Sequence, residues 1–157
     1  MTGPDPEPTS PLAALPAARR ASDRIWTAGQ PDPEAFQAVA GAGIACVVNL
    51  ALPTSPRALP DERGLVEAAG MEYLHLPVVF ENPTRADYLR FEEALSRRAD
   101  SRILVHCALN FRASAFLTLY RIRKLGWSRA EALRDLESFW NPEPAWRELI
   151  EDLLRPE

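Results

Sequence analysis

Residues 103–116 read ILVHCALNFRASAF, and this stretch decides how the rest of the chain is interpreted. Its first residues form a short apolar run that is typical of a buried strand. The residues after Arg112 include no Gly or Pro until Gly126, which favours a helix that ends there. A strand that feeds directly into a helix leaves several backbone N–H groups at the helix start without partners. Together with the helix dipole, these groups form a site for an anion.

Two side chains in the turn, Cys107 and Arg112, are candidates for a nucleophile and an anion-binding group at that site. A helix start favours the thiolate form of Cys107, which is the nucleophilic form of this residue. The planar guanidinium of Arg112 is suited to holding two oxygens of a phosphate. A thiolate beside an anion cradle predicts transfer of a phosphoryl group, or of a related anionic sulfur group.

Residues 106–114 resemble the His-Cys-x5-Arg-Ser/Thr loop of the cysteine-dependent protein tyrosine and dual-specificity phosphatases. Four residues separate Cys107 from Arg112, one fewer than in that pattern. The shorter spacing resembles a bacterial branch of phosphatase-like proteins, and also the six-residue loop of rhodanese sulfurtransferases. The sequence GQP at 29–31 and VVNL at 47–50 are similar to the opening of the same bacterial branch.

The resemblance implies a role for each residue of the loop. Cys107 would attack phosphorus and form a phosphocysteine, while Arg112 would bind the phosphate and stabilise its equatorial oxygens in the transition state. Ser114 would hydrogen-bond the thiolate or help it leave, or would simply bond the backbone of the first helical turn. His106 would order the loop through backbone hydrogen bonds. The other loop residues would bind the substrate together with Arg112: Ala108, Leu109, Asn110 and Phe111.

The resemblance also bears on Asn110 and on the acid of the reaction. Asn110 stands where the dual-specificity enzymes often carry Gly, and Asn tolerates the left-handed backbone that such a position requires. The family also carries an acid on a loop ahead of the Cys. Glu81, 26 residues before Cys107, follows a predicted strand and is the candidate for that acid, although a solvated loop charge explains it equally well. Asp87 instead completes a capping box with Thr84.

Strands alternate with helices along most of the chain, which indicates an α/β fold. We expect a central, mostly parallel sheet of four to five strands flanked by helices, similar to the dual-specificity phosphatases. Residues 71–79 are predicted as one of the strands, and Asp32 as the cap of a helix that begins at Pro33. The Pro-rich residues 1–22 are predicted to be a disordered tail, so that residues 23–157 form a single catalytic domain.

Composition narrows the choice of partners and compartment. The net charge of -4 argues against nucleic acid or an anionic membrane as the main partner. No apolar run approaches the ~20 residues of a membrane span. Two Cys in 157 residues do not suggest a disulfide framework, so a reducing cytoplasm is expected. The two His and two Cys lack metal-site spacing, and no Gly-rich nucleotide loop is present, so no metal or other cofactor is expected.

The sequence therefore predicts an enzyme, a cysteine-dependent phosphatase that hydrolyses a phosphomonoester on a phosphorylated protein or a small metabolite. One alternative is a rhodanese-like sulfurtransferase that carries a persulfide on Cys107, which the six-residue loop favours. The other alternative is a phosphate-binding module with weak or no turnover, which the shortened loop and the interpretation of Glu81 as a solvated charge favour.

Overall fold

A five-stranded sheet forms the centre of the computed structural model, which describes residues 10–156. The strands are β1 (Arg19–Arg20), β2 (Ile25–Ala28), β3 (Cys46–Asn49), β4 (Glu72–His75) and β5 (Ile103–His106). They lie in the order β1-β2-β5-β3-β4, and all neighbours are parallel except β1 and β2. This arrangement confirms the predicted α/β fold with a mostly parallel sheet.

Helices cover both faces of this sheet, because the central strands are apolar on both faces. The helices are a short 3₁₀ helix (Pro11–Ala14), α1 (Ala35–Gly41), α2 (Glu62–Ala68), α3 (Arg85–Ser96), α4 (Phe111–Lys124), α5 (Arg129–Glu137) and α6 (Pro144–Leu154). Along β5, Val105 faces a core formed with α3, α4 and α6, while Leu104 faces a second core formed with α1, α2 and the N-terminal segment.

Two predicted elements are shorter in the structure. Helix α1 begins at Ala35, and Asp32 only accepts a turn hydrogen bond from the Ala35 N–H at 2.9 Å. Strand β4 ends at His75, because the pairing with β3 loses its register beyond that residue. The N–H groups of Leu76 and Val78 donate to the successive carbonyls of residues 49 and 50, both at 2.9 Å. The segment after β4 therefore advances by two residues while the segment after β3 advances by one.

The N-terminal segment departs most from its prediction. Leu12 is 1 % exposed and Leu15 is 7 % exposed, and both belong to the core beneath α1 and α2. Further along, Arg19 and Arg20 pair with β2 as an edge strand. The prediction of a disordered tail is therefore wrong for residues 10–22, because a few apolar side chains within the Pro-rich stretch are buried. Residues 1–9 of the predicted tail lie outside the described part of the chain.

Candidate active site

The loop between β5 and α4 places Cys107 at the carboxyl end of the central strand, where its side chain is buried. The turn into α4 is made by Asn110, whose φ of 72° lies in the left-handed region that its sequence position predicts. The Asn110 side-chain amide donates to the carbonyl of Ala17 at 2.8 Å and to Oγ1 of Thr27 at 3.0 Å. Neighbouring segments therefore hold the turn in its tight conformation.

The backbone of this loop provides donors for an anion. In the described part of the chain, the N–H groups of residues 109–112 donate no hydrogen bond to another backbone group. They lie at the N-terminus of α4, where the helix dipole also favours negative charge. The loop therefore carries the anion cradle that the strand–turn–helix pattern predicts.

Arg112 lies in the first turn of α4 and is almost completely buried, with 8 % of its surface exposed. Its Nη1 donates to the carbonyl of Val78 at 2.8 Å, which fixes the guanidinium against the segment that follows β4. Its buried Nε has no hydrogen-bond partner among the described residues. Leaving a buried donor unpaired costs on the order of 1–3 kcal/mol, and more when the donor carries a charge. The position is therefore suited to an anionic ligand.

A cavity of about 240 Å³ opens over the loop and contains both groups. One wall is aromatic, because Phe111 and Trp140 stack at 4.8 Å between ring centroids, and Phe80 lies 5.9 Å from Trp140. The residues that line the cavity are Phe80, Cys107, Ala108, Leu109, Phe111, Arg112, Trp140 and Glu143. Among the described residues, Arg112 is the basic residue of this lining and Glu143 is the acidic one.

The structure brings most, but not all, of the predicted site residues into this cavity. Asn110 is fully buried and directs its amide towards Ala17 and Thr27. Glu81 is exposed and is absent from the cavity lining. The Ser114 hydroxyl donates to the carbonyl of Phe111 at 3.1 Å, and no hydrogen bond links it to Cys107 in the described part of the chain.

Trp140 gives the Ser114 hydroxyl a further partner, because its indole N–H donates to Ser114 Oγ at 3.1 Å. The hydroxyl therefore fixes one edge of the aromatic wall. The hydroxyl proton of Ser114 is itself donated within the first turn of α4, to the Phe111 carbonyl.

A buried acid behind the loop was missed by the sequence analysis. The Nδ1 of His106 lies 3.2 Å from the carbonyl oxygen of Cys107, and its Nε2 lies 2.5 Å from Oε2 of Glu62. Burial alone would raise the pKa of the Glu62 carboxyl, but hydrogen bonds with His106 and Gln30 hold that pKa below its usual range. Glu62 in the first turn of a short helix is indistinguishable from a surface acid in the sequence, so no local signal pointed to it.

The GQP turn packs directly on the same loop. The Gln30 N–H donates to the carbonyl of Ala108 at 3.0 Å, and the Gln30 side-chain amide donates to Oε1 of Glu62 at 2.8 Å. A Cβ on Gly29 would lie 2.8 Å from the carbonyl oxygen of Ala108, closer than real contacts of this kind. The turn therefore requires Gly at this position so that its backbone can approach the loop.

The second cysteine, Cys46, lies away from the cavity. Burial is the main cause that raises the pKa of Cys46 to about 12. In the sheet it pairs with Ile103, four residues before Cys107 on β5. At roughly 3.3 Å per residue, the two thiols are too far apart for a disulfide in this fold. Within residues 10–156, no group of three His, Cys, Asp or Glu side chains is placed to hold a metal ion.

The parallel sheet, the buried thiol at the end of its central strand and the buried arginine in the same cavity define the class of cysteine-dependent protein tyrosine and dual-specificity phosphatases. Comparison with solved structures supports this class. The crystal structure of a candidate phosphatase of the DUF442 family from Shewanella putrefaciens matches with 32 % identity and a TM-score of 0.82, and the match covers 91 % of this chain and 94 % of that one. The chain therefore belongs to the same phosphatase family as the Shewanella protein, and the resemblance seen in the sequence is confirmed.

More distant structures share the fold. Pseudomonas aeruginosa TpbA, crystallised with phosphotyrosine, has 19 % identity and a TM-score of 0.69 over 90 % of this chain and 85 % of that one. The catalytic core of the PP-IP phosphatase SIW14 from S. cerevisiae has 19 % identity and a TM-score of 0.71, with coverages of 87 % and 85 %. No family model and no curated protein matches the sequence. Among the described residues, no helix is both long and apolar enough to span a membrane.

Proposed function

We propose that this protein hydrolyses phosphomonoesters through a phosphocysteine formed on Cys107. The thiolate attacks phosphorus, the bond from phosphorus to the leaving oxygen breaks, and water then cleaves the new sulfur–phosphorus bond. The observation that carries the proposal is that Arg112, whose buried Nε has no partner among the described residues, lines the same cavity as Cys107.

The remaining donors fit the same reaction. Three non-bridging phosphate oxygens need several donors at once, and the free N–H groups of residues 109–112 and the Arg112 guanidinium supply them. Because Arg112 is fixed by Val78, it stays in position while the charge on phosphorus redistributes. Ser114 assists departure of the thiolate only if its hydroxyl rotates away from Phe111, so we assign it first to the support of Trp140.

The cavity also bears on the substrate. Arg112, the one basic residue that lines the cavity within the described part of the chain, matches one phosphate group. The wall of Phe111 and Trp140 suits an apolar or aromatic carrier. We therefore propose a phosphorylated protein side chain or a small phosphomonoester with an apolar group next to the phosphate. We also propose a cytoplasmic location, because the reaction requires Cys107 to stay reduced.

The test is release of phosphate from an aryl phosphate in the presence of EDTA. We expect turnover by the wild type, loss of turnover in Cys107→Ser, and unchanged turnover in Cys46→Ser, since Cys46 lies outside the cavity. Activity that survives in Cys107→Ser would refute the mechanism.

Assays of two other activities on the same preparations separate the alternatives. Transfer of sulfur from thiosulfate to cyanide without release of phosphate would favour a sulfurtransferase. Binding of inorganic phosphate or vanadate by the wild type, with no turnover of any aryl or alkyl phosphate, would favour a binding module.

A further inference from the structure

A phosphatase of this mechanism has to protonate the leaving oxygen, and the residue that does so is the least defined part of the site. Glu81, the candidate from the sequence, is exposed and outside the cavity lining. Asp87 is occupied as a helix cap, because its Oδ2 accepts from the Thr84 N–H at 3.0 Å and its Oδ1 pairs with Arg90 at 2.6 Å. Neither residue lines the cavity that contains Cys107.

We propose that Glu143, which directly precedes α6, is the proton donor and acceptor of the reaction. Among residues 10–156, it is the acidic residue that lines the cavity together with Cys107 and Arg112. Its side chain is exposed, and among the described residues it forms no hydrogen bond or ion pair. The carboxylate is therefore available to the substrate. This assignment rests on the proposed phosphatase function.

The backbone of Glu143 is held firmly although its side chain is free. Its carbonyl accepts hydrogen bonds from the N–H groups of Trp146 at 2.9 Å and Arg147 at 3.0 Å, in the first turn of α6. The indole N–H of Trp146 donates to the carbonyl of Phe80 at 2.9 Å, which ties this turn to another wall of the cavity. Arg147 also holds the preceding Pro142 through its carbonyl at 2.9 Å. A fixed backbone with a free carboxylate is what a proton-transfer group requires.

The proton balance of the two steps is as follows. In the first step the Cys107 thiolate forms the sulfur–phosphorus bond, and the carboxylic acid of Glu143 gives its proton to the departing oxygen, which leaves as an alcohol. In the second step the Glu143 carboxylate takes a proton from the attacking water. The sulfur–phosphorus bond then breaks, so that phosphate and the thiolate are released and the acid is restored.

The leaving group provides the sharpest experiment. We expect Glu143→Gln to lower kcat/KM for phenyl phosphate, a poor leaving group, by about 10²-fold or more. The kcat/KM for 2,4-dinitrophenyl phosphate should change little, because that leaving group needs no proton. The same variant should show a burst of dinitrophenol followed by slower turnover, since the water in the second step loses its base. Glu148→Gln, an exposed acid on α6, is the matched control and should behave as the wild type.

Several outcomes would overturn the proposal. Equal losses on both substrates would indicate a structural role for Glu143. A lower KM with unchanged kcat would indicate that the carboxylate only repels the phosphate. Dependence on the leaving group in Glu81→Gln, with none in Glu143→Gln, would transfer the role to Glu81. If Cys107→Ser remained active, the proposed phosphatase mechanism itself would fail, whereas an inactive Cys107→Ser with normal Glu143→Gln would overturn only the assignment of Glu143.

Discussion

Nε2 of His106 lies 2.5 Å from Oε2 of Glu62, although 44 residues separate the two in the sequence. The other ring nitrogen of His106 lies against the carbonyl of Cys107, so the pair connects α2 to the backbone of the nucleophile. Both side chains are buried, which makes this contact a fixed part of the loop support.

Replacing the acid tests how much this pair stabilises the fold. The pKa of Glu62 is lowered in the folded state, so its carboxylate contributes stability above the unfolded-state pKa, near 4.5, and that contribution is lost as pH falls through the lower folded-state value. We expect Glu62→Gln to lower the free energy of unfolding by about 1–3 kcal/mol at pH 7. The difference from the wild type should shrink as the pH falls below 4.5, as measured by urea unfolding.

The control is Glu67→Gln, which removes an exposed acid of the same helix. It should leave stability nearly unchanged at both pH values. A deficit in Glu62→Gln that is the same at low and neutral pH would contradict the role of ionised Glu62.

Arg112→Lys tests the guanidinium as a phosphate ligand. Lys keeps the charge but cannot bond both Val78 and a phosphate oxygen with a planar fork. We expect kcat/KM for an aryl phosphate to fall by about 10²–10³-fold, and inhibition by inorganic phosphate to weaken in parallel. Arg97→Lys, at the exposed residue that caps the C-terminus of α3, should match the wild type. Near-normal kinetics in Arg112→Lys would remove this residue from the site.

Gly29→Ala tests the close approach between the GQP turn and the Cys loop. The new Cβ would lie 2.8 Å from the Ala108 carbonyl, so the loop or the turn has to move. We expect a loss of about 1–3 kcal/mol in the free energy of unfolding, together with lower activity in the folded protein. The matched control is Gly41→Ala at the end of α1, where a Cβ meets nothing within 4 Å. Equal stability of the two variants would show that the approach is not tight.

Leu12→Ala tests whether the N-terminal segment belongs to the folded domain. Because this side chain is 1 % exposed, its truncation should lower the free energy of unfolding by about 2–5 kcal/mol. Leu89→Ala, at a residue that is 37 % exposed, should cost no more than about 0.5 kcal/mol. Thermal or urea unfolding measures both. A stability unchanged by Leu12→Ala would restore the prediction of a disordered segment here.

Local sequence patterns are sufficient to predict the parallel α/β fold and the core of the candidate site. Cys107 and Arg112 are close in the chain, and a strand–turn–helix conformation brings them to one end of the sheet. The left-handed backbone at Asn110 follows from the same local geometry. Short-range pattern is sufficient for these features, because periodicity and turn chemistry act over a few residues.

The distant side chains that join that core are selected by long-range packing. Glu62 reaches His106, and Leu12 enters the core, because of how α2 and the N-terminal segment pack against the sheet. Glu143, 36 residues after Cys107, reaches the cavity because the start of α6 is tied to Phe80. None of these residues carries a local signature. A lone acid in a helix turn or a Leu in a Pro-rich stretch is read from the sequence as exposed, and its burial depends on contacts formed by the whole chain.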